Sequence, residues 1–183
     1  MTLDDARRAE VAELVRRYGY ERRDEPFRLT SGGWSHDYVD GKHAVASGAA
    51  LRLVCQAMID AVGERFDVVG GPTMGADAAA HGVSLLSGAG WFSIRKEPKG
   101  HGRGAWVEGT RLEGGEKVLM VEDVVSTGAS LLGGVTKVRE LGAQVFAATA
   151  ILDRSPAAGA RIEAAGIRWV PLLRWSDIGI EPL

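Results

Sequence analysis

The spacing of apolar residues changes part-way along this chain. Near the start, Leu3, Ala6, Val11, Leu14, Val15 and Tyr18 recur at helical intervals, with Thr2 placed to cap and Gly19 placed to stop, so a surface helix is predicted there. Residues 27–40, FRLTSGGWSHDYVD, mix β-forming and turn residues, and residues 44–66 read as one long, largely buried helix around Leu51, Leu53, Val54, Met58, Ile59 and Val62. Thereafter short apolar runs at 67–69, 91–94, 117–121, 145–152 and 167–173 alternate with helical patterns at 76–86, 130–141 and 157–165. Such alternation predicts an α/β fold, a parallel β-sheet flanked by helices on both faces. Residues 1–183 are expected to form one domain, with 1–43 as an N-terminal helix and hood segment and 95–111 as a flexible loop.

A length of 183 residues suits about one domain, and 45% hydrophobic with 25% charged residues suits a packed core. Twenty-two basic against 24 acidic residues leave a net charge of -2, so no global positive field exists to hold nucleic acid or an anionic membrane. Any basic site must be local. The lone Cys55 cannot form an intrachain disulfide or a paired-cysteine metal site, which points to a reducing compartment. The first ten residues carry five charges and no apolar core, and no run approaches eighteen uncharged apolar residues, so a cytoplasmic location is expected.

The most specific chemistry lies in residues 117–130, KVLMVEDVVSTGAS: a buried strand, two adjacent carboxylates, then a hydroxyl- and glycine-rich turn into a helix. Backbone N–H groups of residues 126–130 would point outward at the helix start, where the dipole favours an anion; Gly128 permits close approach, and Ser126, Thr127 and Ser130 add donors. Glu122 and Asp123 would repel a bare phosphate unless they meet sugar hydroxyls or a divalent cation. A phosphorylated ribose with Mg2+ satisfies both halves. A Walker A lysine is absent, and the GxGxxA match at residues 100–105 is followed by no amphipathic helix.

Two other turns and a loop complete the candidates. Residues 70–77, GGPTMGAD, follow a short strand and open a helix, giving a second anion-binding turn. Asp153 and Arg154 end the strand at 145–152 and so lie at the same sheet edge. Arg95, Lys96, Lys99, His101 and Arg103 concentrate positive charge within nine residues, with Gly100, Gly102 and Gly104 as hinges; a concentrated anion is the natural partner of mobile cations of this kind. His36, His43 and His81 show no metal-ligand spacing, and no nucleophile elbow is present. Trp34 and Tyr38 are candidates to line a ligand pocket, whereas Trp91, Trp106, Trp169 and Trp175 suit core or interface contacts.

At residues 117–130 the chain resembles the type I phosphoribosyltransferase family, and two further motifs are similar to those of its orotate-specific members: Phe27-Arg28-Leu29-Thr30-Ser31-Gly32 with Ser35, Tyr38 and Asp40, and Arg95-Lys96-Glu97-Pro98-Lys99-Gly100-His101-Gly102. The resemblance implies that fold, with a small hood, and phosphoribosyl transfer to orotate from 5-phosphoribosyl 1-diphosphate with Mg2+. It implies that Lys99 is the principal catalytic lysine, acting with Asp123 and His101. The ribosyl diphosphate would be held by Arg95, Lys96, Lys99, His101, Glu122, Asp123, Val124, Val125, Ser126, Thr127, Gly128, Ala129 and Ser130. Orotate would sit against Ser126 and Arg154, and Mg2+ would be bound mainly through substrate near Glu122 and Asp123. It further implies that residues 70–77 cradle the diphosphate and that the loop closes over a neighbouring subunit's site in a homodimer. Many relatives carry lysines where this chain has Thr30 and Gly75. Those departures leave open a phosphoribosyltransferase for another base, and a ribosyl-diphosphate-sensing regulator is the alternative without catalysis.

Overall fold

The structure is a computed structural model that describes residues 3–29, 32–98 and 106–183. Helix α1 (Asp5–Leu14) is capped by Asp4, whose carboxylate accepts the Arg7 N–H at 2.8 Å; Thr2, the cap expected from sequence, lies outside the described residues. A π-helical turn, Val15–Gly19, prolongs it. Val11 and Val15 are wholly buried, so α1 is docked on the core rather than lying over its surface.

Strands β1 (Tyr20–Arg28) and β2 (Trp34–Val39) form an antiparallel hairpin. A short helix, α2 (Gly41–Ala44), precedes the one expected over 44–66, which is shorter at both ends and runs as α3 (Gly48–Val62). Asp40 caps the first through the N–H groups of Lys42 and His43, and the Ser47 hydroxyl caps the second through Ala50 at 3.2 Å. Local side-chain caps compete with helix continuation, and here two N-caps seven residues apart each start a helix of their own. Gly63, at φ 64°, closes α3.

The main sheet is built from β3 (Val68–Pro72), β4 (Gly90–Ile94), β5 (Val107–Gly109), β6 (Lys117–Val125), β7 (Gln144–Asp153), β8 (Arg168–Trp169) and β9 (Leu173–Arg174), connected by α4 (Asp77–Ser87), α5 (Ala129–Glu140) and α6 (Pro156–Ala164). Its order is β5-β4-β3-β6-β7-β8, with β9 also on β7. All pairings are parallel except that of the edge strand β5. The one strand expected over 167–173 is split. Pro171 has no N–H to offer, although Val170 and Leu172 still donate to Ala148 and Ala150 at 2.9 Å.

Strand alternation divides the apolar residues between two layers. Val69, Leu119, Val121 and Ala147 pack with α1, α3 and α4, while Val68, Val118, Met120 and Ala148 pack with α5 and α6. Strand β3 has β4 on one side and β6 on the other; the connection through α4 leads from β3 to β4, whereas that through α5 leads from β6 the opposite way, to β7. A crevice is required at such a switch point, beyond the carboxyl ends of β3 and β6.

Candidate active site

Strand β6 runs four residues further than the apolar run at 117–121 suggested, so Glu122, Asp123, Val124 and Val125 belong to the strand. It pairs with β3 only as far as Met120, and from there its outer side is met by α2 and by the turn after β3. The two carboxylates therefore stand at the switch point. Glu122 is only 7% exposed, and burial, reinforced by the Asp123 charge, pushes its carboxyl up to about 8. Its Oε1 accepts the Asp123 N–H at 3.2 Å, and Asp123 Oδ1 accepts the Val124 N–H at 2.8 Å. Asp123 Oδ2 faces the ammonium of Lys42 at 3.5 Å, and that ammonium also reaches Asp40 Oδ1 at 3.0 Å. Burial depresses the Lys42 pKa, but the Asp40 hydrogen bond and the charges of Asp123 and Asp40 outweigh it and leave the pKa raised.

Downstream, Gly128 adopts φ 77° and turns the chain into α5. A cavity of about 300 Å3 opens there, walled by Glu122, Val124, Val125 and residues 126–131. Ser126, Thr127, Gly128, Ala129 and Ser130 thus come together beside Glu122. The Thr127 hydroxyl accepts the Ala129 N–H at 3.3 Å, and Arg161 of α6 donates to the Thr127 carbonyl at 3.1 Å. Arg161 carried no signal in the sequence, because it approaches from a helix more than thirty residues further on.

A second cavity of about 240 Å3 joins Thr73, Arg95, Lys96, Ser130 and Lys137. The turn after β3 is fixed by Asp77, which accepts from Thr73 Oγ1 at 2.6 Å and Ser93 Oγ at 2.7 Å, and the Thr73–Met74 peptide is cis. Gly75 abuts the acid pair: a Cβ there would stand 2.6 Å from Glu122 Oε1. Arg95 is bound to Glu108 Oε1 at 2.9 Å and to the Glu97 carbonyl at 3.1 Å. Lys137, not singled out from the sequence, places its ammonium 3.5 Å from the centre of the Trp106 ring. Thr30, Lys99, His101 and Arg103 lie outside the described residues.

Arg154 follows β7 into the interior and is 3% exposed. Nη1 donates to the Asp37 carbonyl at 2.8 Å, while Nε and Nη2 are buried with no partner among the described residues. The Asp37 carboxylate is gripped at 2.9 Å by both Tyr20 and Arg22. Burial lowers the Arg154 pKa against the nearby Asp37 charge. Asp153 is not its ion-pair partner, since it accepts instead from the Ser155 N–H at 3.0 Å and Trp169 Nε1 at 2.9 Å. The Arg154 N–H donates to the Val125 carbonyl at 2.8 Å, which ties this arginine to the strand end just before Ser126. Trp34 is 68% exposed, and Tyr38 packs on Phe27 and Arg23. Trp91 is partly exposed against His81, whereas Trp169 is buried and Trp175 packs on the core.

Among the described residues no group of three or more His, Cys, Asp or Glu side chains could hold a metal ion, and no helix is long and apolar enough to cross a membrane. No family model matches the chain. Curated relatives do. It is 41% identical over 170 residues to an orotate phosphoribosyltransferase of Methanothermobacter thermautotrophicus, covering 93% of each chain. It is 37% identical over 178 residues to that of Aquifex aeolicus, covering 93% of this chain and 97% of the other. The Mycobacterium tuberculosis orotate phosphoribosyltransferase in complex with 5-phospho-alpha-D-ribosyl 1-diphosphate superposes with a TM-score of 0.79 at 34% identity, over 95% of this chain and 99% of that one. With this identity along nearly its whole length and so close a superposition, the chain belongs to the orotate phosphoribosyltransferase family.

Proposed function

We propose that this protein transfers the phosphoribosyl group of 5-phosphoribosyl 1-diphosphate to orotate, giving orotidine 5′-monophosphate and pyrophosphate. The observation that supports the reading is that one sheet edge carries an acid pair at the switch point, the 126–131 turn with its cavity, and a buried arginine with two nitrogens unmatched among the described residues. The turn at 126–130 receives the 5-phosphate, and Glu122 and Asp123 take the ribose hydroxyls. The Thr73–Ala76 turn, with Lys96 across the second cavity, faces the diphosphate. Arg154 Nε and Nη2 meet the carboxylate or a carbonyl of the pyrimidine, a match to the planar donor fork.

In the transfer, a ring nitrogen of orotate forms the bond to C1 of the ribose as the C1–O bond to diphosphate breaks, and pyrophosphate departs with the electron pair. Lys99 and His101, on the loop, neutralise the charge that develops on that leaving group. With no third acidic, His or Cys side chain beside them among the described residues, Glu122 and Asp123 would fit a Mg2+ ion held mainly by substrate oxygens, Asp123 as the ionised member of the pair and Glu122 on losing its proton. Bound there, the ion supplies neutralisation of the diphosphate. The same reading carries a cytoplasmic homodimer in which the segment between β4 and β5 serves the neighbouring site; the loop expected over 95–111 is shortened at its far end, where Val107–Gly109 pairs with β4 as a strand.

Steady-state assay of pyrophosphate release tests it. Turnover with orotate, well above that with uracil or adenine, is expected, and Lys99→Ala should lower kcat about 100-fold. Release with another base alone would reassign the acceptor. No release with any base, together with salt-sensitive RNA or DNA binding, would replace catalysis by regulation.

A further inference from the structure

Lys42 has no part in the mechanism above, yet it touches the centre of the site from a segment 81 residues away in sequence. Three features hold it there. Asp40 caps the short helix that carries it, accepting the Lys42 N–H at 2.9 Å, and the same Oδ1 accepts the Lys42 ammonium at 3.0 Å. Gly41 lets this turn approach β6 so closely that a Cβ would stand 2.8 Å from that of Asp123. The ammonium then reaches Asp123 Oδ2 at 3.5 Å, while Asp123 Oδ1 is already bound to the Val124 N–H. Both oxygens of Asp123 are thereby directed, one by its own strand and one by the hood segment. Gly75, which meets the same acids from the turn after β3, has no side chain to do so.

A half-exposed ion pair of this kind contributes little to stability. Its leverage is on the ligand. A carboxylate at the mouth of an anion cradle repels phosphate oxygens, and an ammonium beside it offsets that repulsion while fixing which way the carboxylate points. We propose that Lys42 is a positioning residue for ribosyl-diphosphate binding, orienting Asp123 toward the ribose and offsetting its charge. This rests on the reading that Asp123 contacts the ribose.

The test is the kinetics of Lys42→Met, Lys42→Arg, Asp123→Asn and the Lys42→Met/Asp123→Asn double variant. Lys42→Met should raise the KM for ribosyl diphosphate about tenfold, the worth of one charge-assisted hydrogen bond, and leave kcat and the KM for orotate within about twofold. Lys42→Arg should restore most of the loss, and the double variant should be no worse than Asp123→Asn alone, as expected for residues acting as one unit. An unchanged KM in Lys42→Met, an equal loss for both substrates, or additive effects in the double variant would overturn the proposal. Asp123→Asn with no effect on ribosyl-diphosphate KM would separately overturn the reading beneath it. Should Lys42→Met not fold, Lys42→Cys alkylated with bromoethylamine rebuilds the ammonium, since the other thiol, Cys55, is buried. Recovery of KM on alkylation supports the proposal and no recovery refutes it.

Discussion

Burying a guanidinium with two donors unmatched costs free energy that the folded chain alone does not recover, so Arg154 is a place where a ligand completes the structure. Lys at this position keeps a charge and loses the fork. Arg154→Lys should therefore raise the KM for orotate about tenfold or more while moving that for ribosyl diphosphate little, a split readable in steady-state kinetics. Arg154 was legible in the sequence because a strand-end position in a parallel sheet faces the ligand edge. Its orientation was not. That depends on the Asp37 carbonyl, 117 residues earlier, whose side chain is pinned by Tyr20 and Arg22. Lys42 escaped notice for the same reason, since its meaning lies in contacts with Asp123 across the fold.

Helices and strands were recovered where one periodicity ran uninterrupted, as in α4, α5, β4 and β7. They were misjudged where a local hydrogen bond overrode it. Ser47 interrupts an apolar stretch that reads continuously through it, and Pro171 divides a run that otherwise reads as one strand. The end of β6 was misplaced because its last residues include two acids, which are poor strand formers on average and are held here by pairing with β7. Packing between α3 and α4 leaves no room for an added methyl group. A Cβ on Gly82 would stand 2.5 Å from Cys55 Sγ, inside the core. Gly82→Ala should thus destabilise the protein by about 1–3 kcal/mol, more than the gain in helix propensity returns, visible as a lowered thermal midpoint. The same burial holds the Cys55 thiol at about 12, so it should resist alkylation in the native state and react only on unfolding.

For the molecule as a whole, the α/β class and the edge that carries the chemistry followed from alternation and from the rule that ligands sit beyond strand carboxyl ends. Which strands flank the crevice did not, because strand order is fixed by long-range pairing. That pairing buries Glu122, with consequences for stability. A carboxyl raised from 4.5 to about 8 holds its proton in the folded state after the unfolded chain has lost it. Its stabilising contribution is full below the unfolded value and disappears as pH rises through the folded one. The thermal midpoint of the ligand-free protein should fall between pH 5 and about 8 on this account, and Glu122→Gln should flatten the profile.

Ala129 and Ser130, the first turn of α5, belong to the walls of both cavities. A party wall of this kind cannot be rebuilt for one tenant alone: a bulkier group at 130 narrows both chambers together, and whatever occupies one leans on the room next door.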